Sequence, residues 1–203
     1  MAAHPKFSII TVVYNNVRDI EHTITSVVNQ TYDNIEYIVI DGESSDGTLA
    51  AIHKYQDKIA VLLSEKDKGI YDAMNKGLAL ATGDYVLFLN SGDEIYDFNS
   101  IENLAKLSND ADILYGETIL IDEHREIIGE RRHKVPAHFD RKSFRYGMNI
   151  CHQAIYIKRI ITEPYDLNYK LCADIDWVIR CAKKANKSVN AHQYVARYHV
   201  GGR

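Results

Sequence analysis

The stretch YVLFLNSGDE, residues 85–94, changes from apolar to polar within one position. Its first five residues are apolar, whereas Asn90 to Glu94 are small, amide or acidic residues. An apolar run of this length is typical of a strand buried on both faces. Three earlier runs have the same character, at residues 6–13, 35–41 and 59–65. Together they predict four buried strands, the last of which ends at a polar loop.

Helical patterns separate these four runs. An apolar stripe at helical spacing runs from Ile20 to Val28, and further helices are predicted over 48–55 and 70–81. Strands that alternate with helices indicate right-handed crossovers and a parallel sheet. Such sheets bind ligands beyond the carboxyl ends of their strands. The loop at 90–94 lies at one of these ends, so we expect it to belong to a binding site.

The pattern changes in the second half of the chain. The predicted segments are a helix over 98–107, a hairpin or antiparallel strands over 111–132, a loop or flap over 133–150, a strand over 154–158, a helix over 171–182 and a β segment over 188–200. We therefore predict an α/β fold with helices on both faces of the sheet. The sheet is expected to be Rossmann-like and mostly parallel in the first half and mixed, with antiparallel strands, in the second.

Composition limits the classes of function. The chain has 203 residues, of which 46% are hydrophobic, which is enough for one domain with a full core. With 24 basic and 28 acidic residues and a net charge of -4, we expect no nucleic-acid partner. Three cysteines without a Cys-x-x-Cys spacing favour neither a disulfide framework nor a zinc site. No apolar run approaches the ~20 residues of a membrane span, so we expect a cytoplasmic protein.

Two loops contain candidate residues for binding a metal or phosphate. Ser91, Asp93 and Glu94 follow one strand, and Mg²⁺ prefers carboxylate oxygens that leave positions open for a ligand's phosphates. A plain turn would explain the same residues. The helix predicted from residue 70 starts beside Lys68 and Gly69, where glycine lets the backbone approach an anion and lysine adds positive charge.

Other polar residues have both a structural and a functional interpretation. Asp41, at the end of a buried strand, would cap a turn or accept an N–H from a heterocyclic base on which Tyr14 stacks. Asp174 lies near a helix start, where the helix dipole favours an ionised carboxylate, as either a cap or a general base. His152 and Gln153 enter an apolar run either as satisfied edge residues or as binding residues.

Five stretches together resemble a known family. They are FSIITVVYNN, IEYIVIDGESSDGT, SEKDKGIYDAMNKGLALATGDYVLFLNSGDE, CHQAIYIK and YKLCADIDWVIR. They resemble family 2 of the glycosyltransferases, enzymes of the GT-A fold that use nucleotide-sugar donors, and in particular the members that assemble bacterial polysaccharides such as colanic acid. The resemblance covers nearly the whole chain, so residues 1–203 are expected to form one glycosyltransferase domain.

The resemblance implies a role for each matching residue. Tyr14 and Asp41 would contact the nucleotide base, Asp41 through the uracil N–H of a UDP-sugar. Asp93 would bind Mn²⁺ or Mg²⁺ on the donor diphosphate. The donor site would be completed by Val12, Lys68, Gly69, Asn75, Ser91 and Gly92. Residues 1–94 would form the nucleotide-binding half and 95–203 the acceptor-binding half.

The resemblance also implies a reaction. Asp174 would be the general base that deprotonates the acceptor hydroxyl, and His152 and Gln153 would line the acceptor side. The sugar would move in a single in-line displacement that inverts its anomeric carbon, with the metal offsetting charge on the departing nucleoside diphosphate. The implied acceptor is a glycan or a lipid-linked saccharide in the synthesis of a surface polysaccharide.

The chain departs from the family pattern at several positions. It reads Asn90-Ser91-Gly92-Asp93 where many members read Asp-Ala-Asp-Asp, so one carboxylate of that motif remains. Met74 stands where many relatives have Arg, and Ala173 replaces an acidic residue. Relatives continue past the final Gly-Gly with amphipathic helices, so we expect a missing C-terminal tail that would contact the inner face of the cytoplasmic membrane.

Two other functions stay open on these residues. The single carboxylate and the expected missing tail motivate a non-catalytic module that binds nucleotide-sugars or supports assembly. A nucleotidyltransferase on a related sheet is less favoured, because such enzymes usually carry a basic, Gly-rich loop after the first strand, where this chain reads YNNVRD at 14–19.

Overall fold

The computed structural model describes residues 4–139, 142–144 and 147–201. The strands are β1 (Phe7–Val13), β2 (Ile35–Asp41), β3 (Val61–Ser64), β4 (Tyr85–Phe88), β5 (Glu94–Ile95), β6 (Ile113–Ile121), β7 (Ile127–Glu130), β8 (Ile155–Lys158) and β9 (Ser188–His199). The α-helices are α1 (Ile20–Val28), α2 (Thr48–His53), α3 (Ile70–Leu80), α4 (Ser100–Leu107) and α5 (Ala173–Lys184). None of the helices in the described ranges is long and apolar enough to cross a bilayer.

The described strands form one mixed sheet. Its order is β3-β2-β1-β4-β8-β6-β9-β5, and β7 pairs with β6 beside β8. The four strands of the first half are parallel to one another. β8 is antiparallel to both β4 and β6, whereas the long β6–β9 pair is parallel. The predicted fold class, a parallel first half joined to a mixed second half, is confirmed.

Most predicted elements occur within a few residues of their expected bounds. β2 has the predicted bounds, β6 and β7 form the predicted hairpin, and β8 returns to the sheet. The strand β5 was not predicted, because two residues are too short to carry a period, and it forms by pairing with β9. In the predicted loop the described residues 133–139, 142–144 and 147–150 form neither helix nor strand, and 140, 141, 145 and 146 lie outside the described residues.

Helix α3 packs unusually close to β1 and β2. A Cβ placed on Gly77 would lie 2.3 Å from Ile10 Cγ2 and 3.3 Å from Ile40 Cγ1. Glycine in a helix interior costs up to about 1 kcal/mol relative to alanine, so this close approach is the physical reason for the residue. The packing holds α3 on the sheet, with its first residue, Ile70, shortly after the end of β3.

The parallel register brings the polar strand ends to one edge of the sheet. Val13 at the end of β1 pairs with Asp41, which in turn pairs with Ser64 at the end of β3. Beyond β4, the Ser91 amide donates to the Val12 carbonyl oxygen at 3.2 Å, so the loop continues beside β1. The predicted donor-binding residues at the ends of β1, β2 and β4 therefore lie together.

A buried polar cluster holds the opposite ends of these strands. Glu36 is 7% exposed and accepts hydrogen bonds from Lys6 Nζ at 2.7 Å, Ser8 Oγ at 2.6 Å and the Thr82 amide at 2.7 Å. Burial by itself raises the pKa of this carboxyl, but the hydrogen bonds outweigh burial and lower the pKa to about 2. The ionised carboxylate therefore ties β2 to β1 and to the segment that precedes β4.

We expect Glu36→Gln to remove part of the acid sensitivity of the fold. Because the folded pKa of about 2 lies below the ordinary 4.5, the carboxylate stabilises the fold above about pH 4.5 and loses that contribution as the pH falls towards 2. The shift corresponds to about 3 kcal/mol. Urea unfolding of wild type and variant from pH 2 to 7 measures it, with the exposed Glu123→Gln as control. Parallel pH curves for wild type and Glu36→Gln would contradict the assignment.

Candidate active site

Asp41 has one carboxylate oxygen that the described residues leave unbonded. The side chain is completely buried at the end of β2, and its Oδ2 accepts from Ser64 Oγ at 2.6 Å and from the Ser44 amide at 3.2 Å. Its buried Oδ1 has no hydrogen-bond partner among the described residues. Because a buried oxygen without a donor is costly, this atom suits the predicted N–H of a bound base. The turn-capping role also holds, through Ser44.

Tyr14 lies over the same strand end. Its side chain is 66% exposed, and a Cβ on Gly42 would lie 3.3 Å from its ring. The loop that carries Tyr14 is bonded to the loop after β2, since the Asn15 amide donates to Ser44 Oγ at 2.8 Å and the Ser45 amide donates to Asn15 Oδ1 at 2.8 Å. An exposed ring on such an anchored loop is open to contact, and the predicted stacking of Tyr14 on a base stays a prediction.

The turn before α3 is held by two side-chain hydrogen bonds, although no side chain caps the helix itself. The Gly69 amide donates to Asp67 Oδ1 at 2.8 Å, and the Lys68 amide donates to Asp72 Oδ2 at 3.0 Å. Gly69 has a φ of +117°, a conformation that L side chains rarely adopt, so glycine is required here. The Lys68 side chain is exposed beside this turn. The predicted contact of Lys68 and Gly69 with a diphosphate stays a prediction.

The Asn75 side chain is bonded to the backbone of a distant segment. Its Nδ2 donates to the Tyr165 carbonyl oxygen at 3.0 Å, and its Oδ1 accepts from the Tyr165 amide at 2.6 Å. These two bonds tie α3 to the segment that leads into α5. They are a structural role that the sequence did not predict, and the predicted donor contact of Asn75 stays a prediction.

The loop after β4 is bonded to α1 and to the loop before α1. Thr23 Oγ1 accepts from the Gly92 amide at 2.9 Å and donates to the Asp93 carbonyl oxygen at 2.8 Å. Asn16 Nδ2 donates to Ser91 Oγ at 3.1 Å. Gly92 has a φ of +106°, which again favours glycine. The predicted residues Ser91 and Gly92 therefore belong to a loop whose shape is determined by its contacts.

Asp93 is the buried centre of one polar cluster. Its side chain is 6% exposed, and Gln153 Nε2 donates to Oδ2 at 2.5 Å while the His199 amide donates to Oδ1 at 3.0 Å. Burial raises the pKa of Asp93, and these two hydrogen bonds oppose that rise. The predicted metal ligand and the predicted acceptor residue Gln153 are thus direct neighbours.

The chemistry of this cluster fits a divalent metal whose other ligands come from a bound diphosphate. Asn90 Oδ1 and His199 Nδ1 are buried and have no hydrogen-bond partner among the described residues, and both atom types bind metals. A Cβ on Gly92 would lie 3.5 Å from His199 Nδ1. The described residues contain no cluster of three His, Cys, Asp or Glu side chains that could hold a metal.

Asp174 belongs to a second cluster that adjoins the first. His152 Nδ1 lies 3.5 Å from Asp174 Oδ2, and His152 Nε2 lies 3.2 Å from Asn90 Nδ2. Asn90 and the His152 ring are therefore within hydrogen-bond distance, with the donor and acceptor roles set by the histidine tautomer. Burial raises the pKa of Asp174, but the hydrogen bond and charge of His152 outweigh it and lower the pKa. An ionised carboxylate can accept a proton.

Aromatic packing determines where Asp174 lies. Tyr165 stacks on Trp177 of α5 with ring centroids 5.0 Å apart, and Phe88 of β4 packs edge-on against both rings. The Trp177 indole N–H donates to the Glu163 carbonyl oxygen at 2.6 Å. α5 starts at Ala173, so Asp174 lies in its first turn and is not the capping residue.

Asp176 has a different role from Asp174. Its Oδ2 accepts from Arg180 Nε at 2.8 Å, one helical turn further along α5. The two aspartates, which look equivalent in the sequence, are therefore distinguished by their partners, a histidine for Asp174 and an arginine for Asp176.

His199 is the site residue that the sequence analysis missed. It lies 106 positions beyond Asp93, and its backbone reaches that carboxylate because β9 runs along the full length of β6. A lone histidine near the chain end has no local spacing signal. Its place could be found only from the pairing of the last β segment.

Solved structures show the same fold. The S. aureus TarS 1-349 crystal structure in complex with UDP-GlcNAc matches with a TM-score of 0.80 and 19% identity over 98% of this chain and 59% of that chain. The mannosyltransferase PcManGT from Pyrobaculum calidifontis, in complex with GDP-Man and Mn²⁺, matches with a TM-score of 0.73 and 18% identity over 98% of this chain and 58% of that one. The chain thus spans about three fifths of each.

Curated relatives are closer in sequence. A "PGL/p-HBAD biosynthesis glycosyltransferase" of Mycobacterium bovis (strain BCG / Pasteur 1173P2) is 31% identical over 98% of this chain and 79% of its own length. The "Amylovoran biosynthesis glycosyltransferase AmsB" of Erwinia amylovora is 28% identical over 96% and 69% respectively. The sequence profile of Glycosyl transferase family 2 matches residues 8–163. With this match, the GT-A fold and the polar clusters at the strand ends, the chain belongs to glycosyltransferase family 2.

Proposed function

We propose that this protein is an inverting, metal-dependent glycosyltransferase. It moves a sugar from a UDP-sugar to a hydroxyl group of a glycan or lipid-linked saccharide during surface-polysaccharide synthesis. The observation that carries the proposal is the convergence of Asp174–His152–Asn90 and Asp93–Gln153–His199 beside the carboxyl ends of the parallel strands. This edge of the sheet thereby combines three kinds of group: a proton acceptor, side-chain atoms that can bind a metal, and a carboxylate for the nucleotide base.

Residues 1–94 hold the donor in this proposal. The unbonded Asp41 Oδ1 accepts the ring N–H of uracil, and Tyr14 covers the base. TarS was solved with UDP-GlcNAc and PcManGT with GDP-Man, so fold likeness alone does not select the nucleotide. We favour a pyrimidine over guanine because one acceptor oxygen suits a single imide N–H, whereas guanine presents several donors on one edge. Uracil and thymine share this N–H, and UDP rather than dTDP follows from the family resemblance.

Asp174 performs the proton transfer. Its carboxylate takes the proton of the acceptor hydroxyl while the hydroxyl oxygen attacks the anomeric carbon. The bond from that carbon to the diphosphate oxygen breaks, and UDP leaves with the electron pair. His152 orients the carboxylate through Nδ1, and its own orientation is set by Asn90. Residues 95–203 hold the acceptor, with Gln153 and His152 on that side.

Asn90, Asp93 and His199 would hold the metal. A divalent ion there, Mn²⁺ or Mg²⁺, would supply positive charge that stabilises the departing diphosphate. Asp93 contributes by its charge and by holding the His199 backbone in place. A lipid-linked acceptor would bring the protein to the inner face of the cytoplasmic membrane.

Calorimetric titration of UDP, with GDP and dTDP as comparisons, tests the donor and the metal together. We expect UDP to bind and Mn²⁺ to strengthen its binding, because the unbonded atoms of Asn90 and His199 gain a partner only when the metal is present. Preferential binding of GDP or dTDP would overturn the UDP assignment. No nucleotide binding by folded protein would overturn the donor site.

The alternative is a non-catalytic module that binds nucleotide-sugars. One observation favours it: both oxygens of Asp93 already accept hydrogen bonds from the protein. This alternative predicts nucleotide affinity that does not respond to Mn²⁺ and no release of UDP from a UDP-sugar in the presence of saccharide acceptors. Metal-enhanced binding with turnover would exclude it.

A further inference from the structure

Arg125 lies at the tip of the β6–β7 hairpin, outside every motif described above. Its backbone has a φ of +64°, and its amide donates to the Asp122 carbonyl oxygen at 3.0 Å in the turn. Arginines are mostly exposed, yet this side chain is only 14% exposed. Specific contacts therefore hold it inside the fold.

The Arg125 guanidinium joins the hairpin to two other segments. Nη1 donates to the Gly92 carbonyl oxygen at 2.7 Å and lies 3.4 Å from Glu94 Oε1. Nη2 donates to Asp19 Oδ1 at 2.5 Å, at the residue that caps α1. Its partners thus include the residues on either side of Asp93.

The bond to Gly92 controls the direction of Asp93. The Gly92 carbonyl belongs to the planar peptide unit that leads into Asp93, so fixing the carbonyl fixes the plane from which the Asp93 backbone continues. The amide of Gly92 is already held by Thr23 Oγ1. Arg125 holds the carbonyl group of the same residue. Glycine has few conformational restraints of its own, and Gly92 has a φ of +106°.

The charges around Arg125 require a guanidinium. Asp19 and Glu94 are 23% and 12% exposed, and Arg197 Nη1 lies 3.8 Å from the second oxygen of Glu94. Two arginines therefore balance two partly buried carboxylates below the loop. A lysine keeps the charge but replaces the planar fork by a compact ammonium group, which cannot reproduce the same set of contacts.

We propose that Arg125 is a positioning residue that holds loop 90–94 in the shape that presents Asp93 and Asn90 to a metal and diphosphate. The consequence for ligand binding rests on the proposed function. The shape of the loop itself can be measured on the protein without any ligand.

Hydrogen exchange of the ligand-free protein tests the loop. In Arg125→Lys we expect the amides of Gly92 and Asp93 to exchange about tenfold faster or more, the size of effect for one charge-assisted hydrogen bond. Amides of β2 should exchange as in the wild type. The exposed Arg132→Lys, next to the same hairpin, is the control and should leave loop exchange unchanged. Unchanged loop exchange in Arg125→Lys would overturn the proposal.

Calorimetry with UDP separates positioning from general destabilisation. We expect Arg125→Lys to weaken UDP binding about tenfold in the presence of Mn²⁺ and by less without metal, because Arg125 bonds to the loop that carries Asp93 and Asn90 and not to Asp41 or Tyr14. Equal weakening with and without Mn²⁺ would overturn the positioning role. If the wild type binds UDP equally well with and without Mn²⁺, the metal part of the proposed function is wrong. The hydrogen-exchange result then decides by itself whether Arg125 positions the loop.

Discussion

Asp174→Asn is expected to abolish sugar transfer and to leave UDP binding intact. The carboxylate is ionised because His152 and the amides of the first helical turn outweigh the effect of burial on its pKa. An amide of the same shape cannot accept the acceptor's proton, and loss of a general base lowers a rate by about 10²–10⁴-fold. Tyr14 and Asp41 lie across the sheet edge on other elements, so donor affinity should persist. Release of UDP from the UDP-sugar, measured with a saccharide acceptor, gives the rate, and calorimetry gives the affinity.

Asp176→Asn is the matched control for this prediction. It removes a carboxylate from the same turn of α5, but one that pairs with Arg180 and not with His152. We expect near wild-type transfer and a stability loss of less than about 1 kcal/mol, as for other partly exposed ion pairs. Transfer at the wild-type rate by Asp174→Asn would exclude it as the base, and equal losses in both variants would indicate damage to α5 instead.

Asp93→Ala is expected to abolish the strengthening of UDP binding by Mn²⁺. The substitution removes the negative charge of the cluster and leaves Gln153 Nε2 and the His199 amide without their acceptor. Each buried donor left without a partner costs about 1–3 kcal/mol, so the free energy of unfolding should fall as well. Titration of UDP with and without Mn²⁺, together with urea unfolding, measures the two effects separately.

Asp93→Asn separates the charge from the packing. The amide keeps the shape of the side chain and retains one acceptor oxygen, so we expect a smaller loss of stability than in Asp93→Ala and the same loss of the metal effect. The exposed Asp57→Ala, outside this loop, should change neither quantity. If Mn²⁺ still strengthens UDP binding to both Asp93 variants, the metal is held without Asp93.

The prediction of the fold succeeded where a local pattern was long enough. The continuous apolar runs that became β1, β2 and β4 and the apolar stripe that became α1 each extend over several residues, so a local pattern was enough to find them. β5 could not be predicted, because it exists only through its pairing with β9. That helices lie on both faces, and that residues 1–94 and 95–203 divide donor from acceptor binding, stay predictions.

The sequence by itself determined the chemical types at the strand ends. Hydrophobic periodicity decided that Asp41 and Asp93 follow buried strands, and a parallel sheet gathers such ends at one edge because all its strands point the same way. Asp174 was also identified from the sequence as an ionised carboxylate near a helix start. These inferences need only local spacing and the rules of βαβ connection.

Only the tertiary structure decided which polar atoms remain available. Asp93 has both oxygens bonded, whereas Asn90 Oδ1, Asp41 Oδ1 and His199 Nδ1 have no partner among the described residues. Hydrogen bonds depend on the distances between atoms, and the β6–β9 pairing brings His199 next to Asp93 across 106 positions. The residue type fixes which hydrogen bonds a side-chain atom can form. Whether the protein itself already forms those bonds depends on which distant strands pair.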